Sequence, residues 1–262
     1  MRVSPAELRA VRQGGILARY AVLGPVAFVQ AELGAEGSRQ TAFEEPCEME
    51  HWGFVLRGRL RFEDGQRSRV FLPGTAFHIP AGPPAHRFIA RGPCSIAGFA
   101  PLLEPVDDSP AALDARGVKA VPDAPLLDPP PPTIRIAARV GAQRSHEGVE
   151  SVSAPMGSWT FMRMTFGPLS GFLAPWCDLP HWGIVLAGEV VHSREDGLEL
   201  LGPGDAYWCP EGPPGHRFEV ADSATVADYT PTSALLGPGR RPAYRQAALG
   251  AAVQQVASPD VV

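Results

Sequence analysis

Two stretches hold the residues most able to do chemistry: "CEMEHWGFVLRG" from Cys47 to Gly58, and "CDLPHWGIVLAG" from Cys177 to Gly188. Each places a cysteine four residues before a histidine, and each is followed by a second histidine in "GPPAHRF" (His86) or "GPPGHRF" (His216). Thiolate and imidazole are ligands for zinc, and equally for copper, iron or nickel. Three protein ligands with one open position is the usual arrangement of a reactive metal site. Alone, a cysteine reads as a small buried hydrophobe and a histidine as a hydrogen-bonded core residue. The triplet is made twice at one spacing while its surroundings diverge, which points to coordination by Cys47, His51 and His86, and by Cys177, His181 and His216.

Geometry adds a condition. On a straight strand, residues four apart are separated by about 13 Å, too far for both to reach one ion. The chain must bend between Cys47 and His51 and between Cys177 and His181, and Pro46 and Pro180 suit such a corner. Beyond it, alternation puts His51, Gly53 and Val55 on one face and Trp52, Phe54 and Leu56 on the other. Gly53 leaves room beside the ligand for a substrate or water. Trp52 and Trp182 are expected to pack against another layer or the sister domain.

The repeat extends beyond the triplets. A shift of 130 residues, from 47 to 177, also aligns Pro73-Gly74 with Pro203-Gly204, Pro80 with Pro210, and Gly82-Pro83-Pro84 with Gly212-Pro213-Pro214. That period is the size of a domain, so the chain is a duplication rather than a solenoid. Each copy reads as short strands joined by Gly and Pro turns, with Asp-Gly hairpin signals at Asp64-Gly65 and Asp196-Gly197. The 29 prolines and 28 glycines among 262 residues agree with a turn-rich, all-β chain.

"VLRG" and "VLAG", with "PGTAFHIPAGPPAH" and "PGDAYWCPEGPPGH", resemble the two motifs of the cupin superfamily, small β-barrels of the jelly-roll type. The resemblance covers both repeats, as in a bicupin. It implies two tandem cupin β-barrels with short flanking helices, and activities of dioxygenase or isomerase type. It also implies a metal held by two histidines and a glutamate from the first motif and one histidine from the second. Here Cys47 and Cys177 stand where the second family histidine falls, and His51 and His181 where the glutamate falls. Glu45 and Pro175 take the place of the first histidine, and His86 and His216 match the last.

The expected organisation is an N-terminal extension (1–19), cupin domain 1 (20–108), a proline-rich linker (109–145), cupin domain 2 (146–238) and a C-terminal tail (239–262). Ser4-Pro5-Ala6-Glu7 has the form of a capping box, predicting a helix from Ser4 to about Arg12, and "PAYRQAALGAAVQQVA" predicts another. Arg87 and Arg217 are expected to point away from the barrel. Cys94, Cys209, His78, His146 and His192 lack chemical counterparts in the other copy and are expected to be structural or exposed. Glu45 and Glu50 are the candidate acid-base groups, facing Pro175 and Pro180 in the second copy.

A net charge of −5 with scattered Lys and Arg excludes a nucleic-acid footprint, and no apolar run approaches the roughly 18 residues of a membrane span. A start without an apolar core leads to the expectation of a reducing cytoplasm and of thiols rather than disulfides. The expected cofactor is a transition metal ion, up to two per chain, zinc first. The expected partners are a small-molecule ligand or substrate, with a homodimer allowed. The activity expected is binding or catalysis at the metal, the alternative being a non-catalytic sensing or storage module.

Overall fold

The structure is a computed structural model describing residues 1–34, 41–42, 46–102, 109–115, 117–122, 124, 142–146, 148–171 and 176–237. Much of the linker and the C-terminal tail, including its expected helix, lie outside the described residues, as do Glu45 and Pro175. The chain divides into two compact units. One takes the described residues 3–124, the other takes Met1–Arg2 with those from 142 to 237.

In the first unit a seven-stranded sheet runs in the order Lys119–Ala120, Arg9–Gln13, Ile16–Leu23, Val26–Leu33, Cys94–Pro101, His51–Arg57, Ala76–Ile79. A four-stranded sheet closes the barrel with Thr41–Ala42, Arg87–Ala90, Leu60–Glu63 and Ser68–Phe71. The second unit repeats the plan. Its seven strands are Arg2–Val3, Ala206–Cys209, His181–Gly188, Ala224–Pro231, Trp159–Phe166, Val149–Met156 and Ala142–His146, faced by Gly197–Leu201, Val190–Arg194 and His216–Glu219. All named pairings are antiparallel, which lets short turns join most neighbours.

Alternation along these strands sends one set of apolar residues into each barrel. Val55, Leu60, Phe77, Phe88 and Ile96 cluster in the first, and Val185, Val190, Leu201, Phe218 and Val226 in the second. Full burial of each such side chain contributes about 1.5–3 kcal/mol. Trp52 is fully buried and stacks on Phe99, while Trp182 stacks on Trp208 and meets Trp159 edge-on.

The local outcomes differ from expectation at three places. "HWGFVLRGRLRF" is two strands, broken at Gly58, where the chain leaves the large sheet for the small one, and the second copy breaks at Gly188. Both glycines have positive φ (73° and 72°), and a Cβ on either would run into the backbone oxygen of Pro93 or Ser223. The hairpin at Asp64-Gly65 forms, with the Asp64 carboxylate accepting from the amides of Gln66 and Arg67. The second hairpin turns on Glu195-Asp196, because Gly197 already pairs with Arg194.

At the start of the chain, Ser4 donates its amide and hydroxyl to the Glu7 carboxylate, but only a single 3-10 turn, Pro5–Glu7, results. Leu8 is buried and Arg9–Gln13 continues as a strand paired with Ile16–Leu23, so sheet pairing overrides the helical signal. Residue 20 lies inside that second strand, Ile16–Leu23. The short α-helices among the described residues are Pro110–Ala115 and Thr232–Leu236, and no helix there is long and apolar enough to cross a membrane.

Candidate metal centres

The bend required by the sequence spacing lies between Cys47 and His51. Cys47 is not in the histidine's strand. It forms a two-residue bridge with His86: the Cys47 amide donates to the His86 carbonyl at 2.7 Å, and the return bond is 2.8 Å. His51 then opens the strand His51–Arg57, with its Nε2 3.1 Å from Cys47 Sγ. The backbone amide of Met49 also donates to that sulfur at 3.4 Å. The His51 and His86 rings meet edge-on, centroids 5.2 Å apart.

The second unit reproduces this arrangement. Cys177 bridges His216 at 2.7 and 2.8 Å, His181 Nε2 lies 3.2 Å from Cys177 Sγ, and the His181 and His216 rings are perpendicular at 5.1 Å. In each copy one donor atom from each of the three residues lies within 4.8 Å of the others. Donors bound at about 2.0–2.3 Å to a common ion are separated by up to about 4 Å, so modest side-chain adjustment suffices. His86 is buried and neither of its ring nitrogens has a hydrogen-bond partner. A buried imidazole with two idle nitrogens is costly, and a metal would satisfy one of them. The donor set therefore fits a transition metal.

Burial keeps these imidazoles neutral, as ligation requires. Desolvation lowers the pKa of His51 to about 4, with His86 adding to the effect, and it lowers those of His86, His181 and His216.

Around the triads the two copies diverge. In the second, Thr230 Oγ1 lies 2.7 Å from His181 Nδ1, and Asp228 Oδ2 lies 3.7 Å from the same nitrogen. Tyr207 donates its hydroxyl to Asp228 at 3.2 Å. Asp228 is fully buried, which raises its carboxyl to about 6 against the opposing pull of His181 and Tyr207. His192, also fully buried, sits edge-on to His216 and 3.4 Å from Cys209 Sγ. A ligand histidine whose second nitrogen is hydrogen-bonded to a hydroxyl, with a carboxylate 3.7 Å away, has its orientation set before the metal arrives. In the first copy the matching positions are Ala100, Gly98, Phe77, Phe62 and Ile79, none with a side chain that hydrogen-bonds.

Asp228, Thr230 and Tyr207 were not singled out in the sequence, and His192, expected to be structural or exposed, is fully buried beside His216. The available signal was "TVADYT" at 225–230, where Asp228 interrupts an otherwise inward-facing apolar position of a buried strand. Of the candidate acid-base groups, Glu50 is engaged with His78 at 2.7 Å, which gives both a structural role. His146 lies on a described strand, but its side chain lies outside the described residues. Cys94 is buried and its thiol is pushed up to about 12 by desolvation. Arg217 pairs with Glu219 and its guanidinium lies over the Trp176 ring, 5.3 Å from its centroid. Arg87 is exposed and is among the residues lining a cavity of about 410 Å³ that also touches Cys47, His51 and His86.

Neither a family model nor a curated protein matches the sequence. Solved structures do. Oxalate decarboxylase from Bacillus subtilis, described with Mn(II) centres, superposes with a TM-score of 0.63 at 12% identity, over all of this chain and 87% of that one. AerE from Microcystis aeruginosa superposes with a TM-score of 0.57 at 9% identity, over 86% of this chain and 98% of that one. At these identities the likeness concerns the fold, and the fold is all-β, of cupin-type barrels, with a candidate metal-binding group of Cys, His and His in each unit.

Proposed function

We propose that each barrel binds one transition metal ion through its Cys, His and His, leaving an open position, and that the chain binds or acts on a small molecule there. The observation that carries this reading is the convergence, in both copies, of one thiol and two neutral imidazoles from two separate stretches of the chain. When bound, such an ion supplies Lewis acidity or activates a coordinated small molecule. The protein's own contribution is to hold the imidazoles unprotonated, to present the thiol beside a backbone amide and, in the second copy, to fix the His181 ring through Thr230 and Asp228. Manganese, named for the oxalate decarboxylase neighbour, suits oxygen ligands, whereas thiolate with imidazole suits zinc, copper, iron or nickel. Zinc is the first expectation.

A non-catalytic sensing or storage role is the second reading. It is favoured by the pairing of Glu50 with His78 and by a cavity whose lining, among the described residues, includes no carboxylate to serve as general base. Elemental analysis of protein purified without added metal tests the common part: two ions per chain are expected, one in Cys47→Ser and in Cys177→Ser. A well-folded chain that takes up no metal on reconstitution overturns it. Turnover separates the two readings. An enzyme loses activity when the metal is stripped or His51 is replaced, whereas a sensor or store binds its ligand without converting it.

A further inference from the structure

The two barrels share donors but not interiors. In the first, the cavity against Cys47, His51 and His86 is walled by Val29, Ala31, Phe77, Phe88, Ile96 and Ala100, and Gly98 opens it further. Strand register gives the counterparts in the second barrel. Val29 pairs with Gly98 as Met162 pairs with Asp228, and Ala31 pairs with Ile96 as Met164 pairs with Val226. Ala100 corresponds to Thr230 and Phe77 to Tyr207. Val29, Ala31, Gly98 and Ala100 are thus replaced by the larger Met162, Met164, Asp228 and Thr230, against one small loss, Ile96 to Val226. Asp228, Thr230 and Tyr207 are fully buried, and Tyr207 and Asp228 together occupy the space over Gly183, where a Cβ would collide with both. The space left beside the donors in the first copy is taken in the second by side chains that hold His181.

We propose that the first barrel is the ligand-binding copy, accepting a compact apolar monocarboxylic acid, and that the second is a metal-holding copy without a matching organic site. The cavity volume of about 410 Å³ is in the range of small-molecule sites, and its walls are aliphatic and aromatic. Its polar lining consists of the Cys, His, His set and the exposed Arg87, next in sequence to His86. Among the described residues no carboxylate lines it, so a cationic head has no counter-charge there, whereas an anionic head meets the arginine and the ion. The placement of the acid's head rests on the metal-binding reading above; the accommodation of its apolar body does not.

Calorimetric titration of the zinc-loaded full chain with 4-phenylbutyrate tests this, alongside 4-phenylbutylamine and with metal content measured separately. One equivalent of the acid per chain is expected, the amine binding at least about tenfold more weakly. Ala100→Phe, which fills the cavity, is expected to lower affinity for the acid at least about tenfold while two metals are retained. Two equivalents per chain, no binding at millimolar concentration, equal binding of the amine, or undiminished affinity in folded Ala100→Phe each overturn the proposal. If Ala100→Phe does not fold, the stoichiometry and the amine comparison in the unmodified chain still decide. Two metals with no acid bound defeat this inference alone; one acid bound to a chain that takes no metal defeats the metal reading alone.

Discussion

At the residue scale, the four cysteines divide by environment. Cys94 and Cys209 are buried thiols whose ionisation is suppressed by desolvation, and Cys47 and Cys177 are partly exposed beside imidazoles. In metal-free protein at neutral pH, iodoacetamide followed by mass spectrometry is expected to label Cys47 and Cys177 and to spare the other two. Loading with zinc is expected to protect the labelled pair. The hydrogen bond between Thr230 and His181 gives a second expectation. Thr230→Val and Asp228→Asn should each weaken metal binding at Cys177, His181 and His216 by about 10–100-fold, leaving the first site unchanged in a competition titration with a chromophoric chelator. The donor residues were legible because duplication repeats their types and spacing while the intervening residues drift. Asp228, Thr230 and His192 were not, because each occurs in one copy only and alignment sets them against Gly98, Ala100 and Phe62.

At the element scale, the apolar pattern "HWGFVLRG" predicted a strand but not where it stops. The break comes from a backbone crossing at Gly58 and Gly188, which depends on residues near Pro93 and Ser223 far along the chain, and no local signal carries that. Positive φ and a backbone oxygen in the way make Gly58→Ala and Gly188→Ala costly, about 2 kcal/mol or more each, measurable by urea denaturation. The N-terminal capping residues show the reverse case: the signal was read and its bonds form, yet Leu8 and the strand Arg9–Gln13 end the helix after one turn. The edge of the second barrel's large sheet is covered by Arg2–Val3, with Met1 exchanging hydrogen bonds with Trp208 at 2.8 and 2.9 Å and Arg2 donating to the Leu200 carbonyl. Removing residues 1–3 is expected to bare Ala206–Cys209, lower the melting temperature and produce concentration-dependent association in light scattering.

At the scale of the whole molecule, buried neutral histidines set the acid limit of the metal-free protein. His51 titrates at about 4 and His192 at about 3 in the folded chain, both chiefly through desolvation, against about 6.5 unfolded. Asp228 works the other way, from 3.8 to about 6. Between pH 6 and 4 the unfolded chain therefore binds two protons on the histidines where the folded chain binds one on Asp228. The unfolded state holds the excess, so stability falls as pH falls through this window, by about 1.4 kcal/mol per net proton per pH unit. Denaturation midpoints in urea at pH 7, 5.5 and 4.5 are expected to fall in that order, and zinc to restore stability at pH 7.

The strand Arg2–Val3 also bears on how the chain comes to be made. Its partner Ala206–Cys209 emerges from the ribosome about 200 residues later, which at roughly 5–20 residues per second is a delay of about 10–40 s. The first barrel is fully synthesised in that interval and can fold, but the residues ahead of it must stay unpaired until the second barrel exists. Completion of the second sheet thus waits on the emergence of residues 206–209. A period in which Arg2–Val3 stays unpaired is built into the biogenesis of this protein.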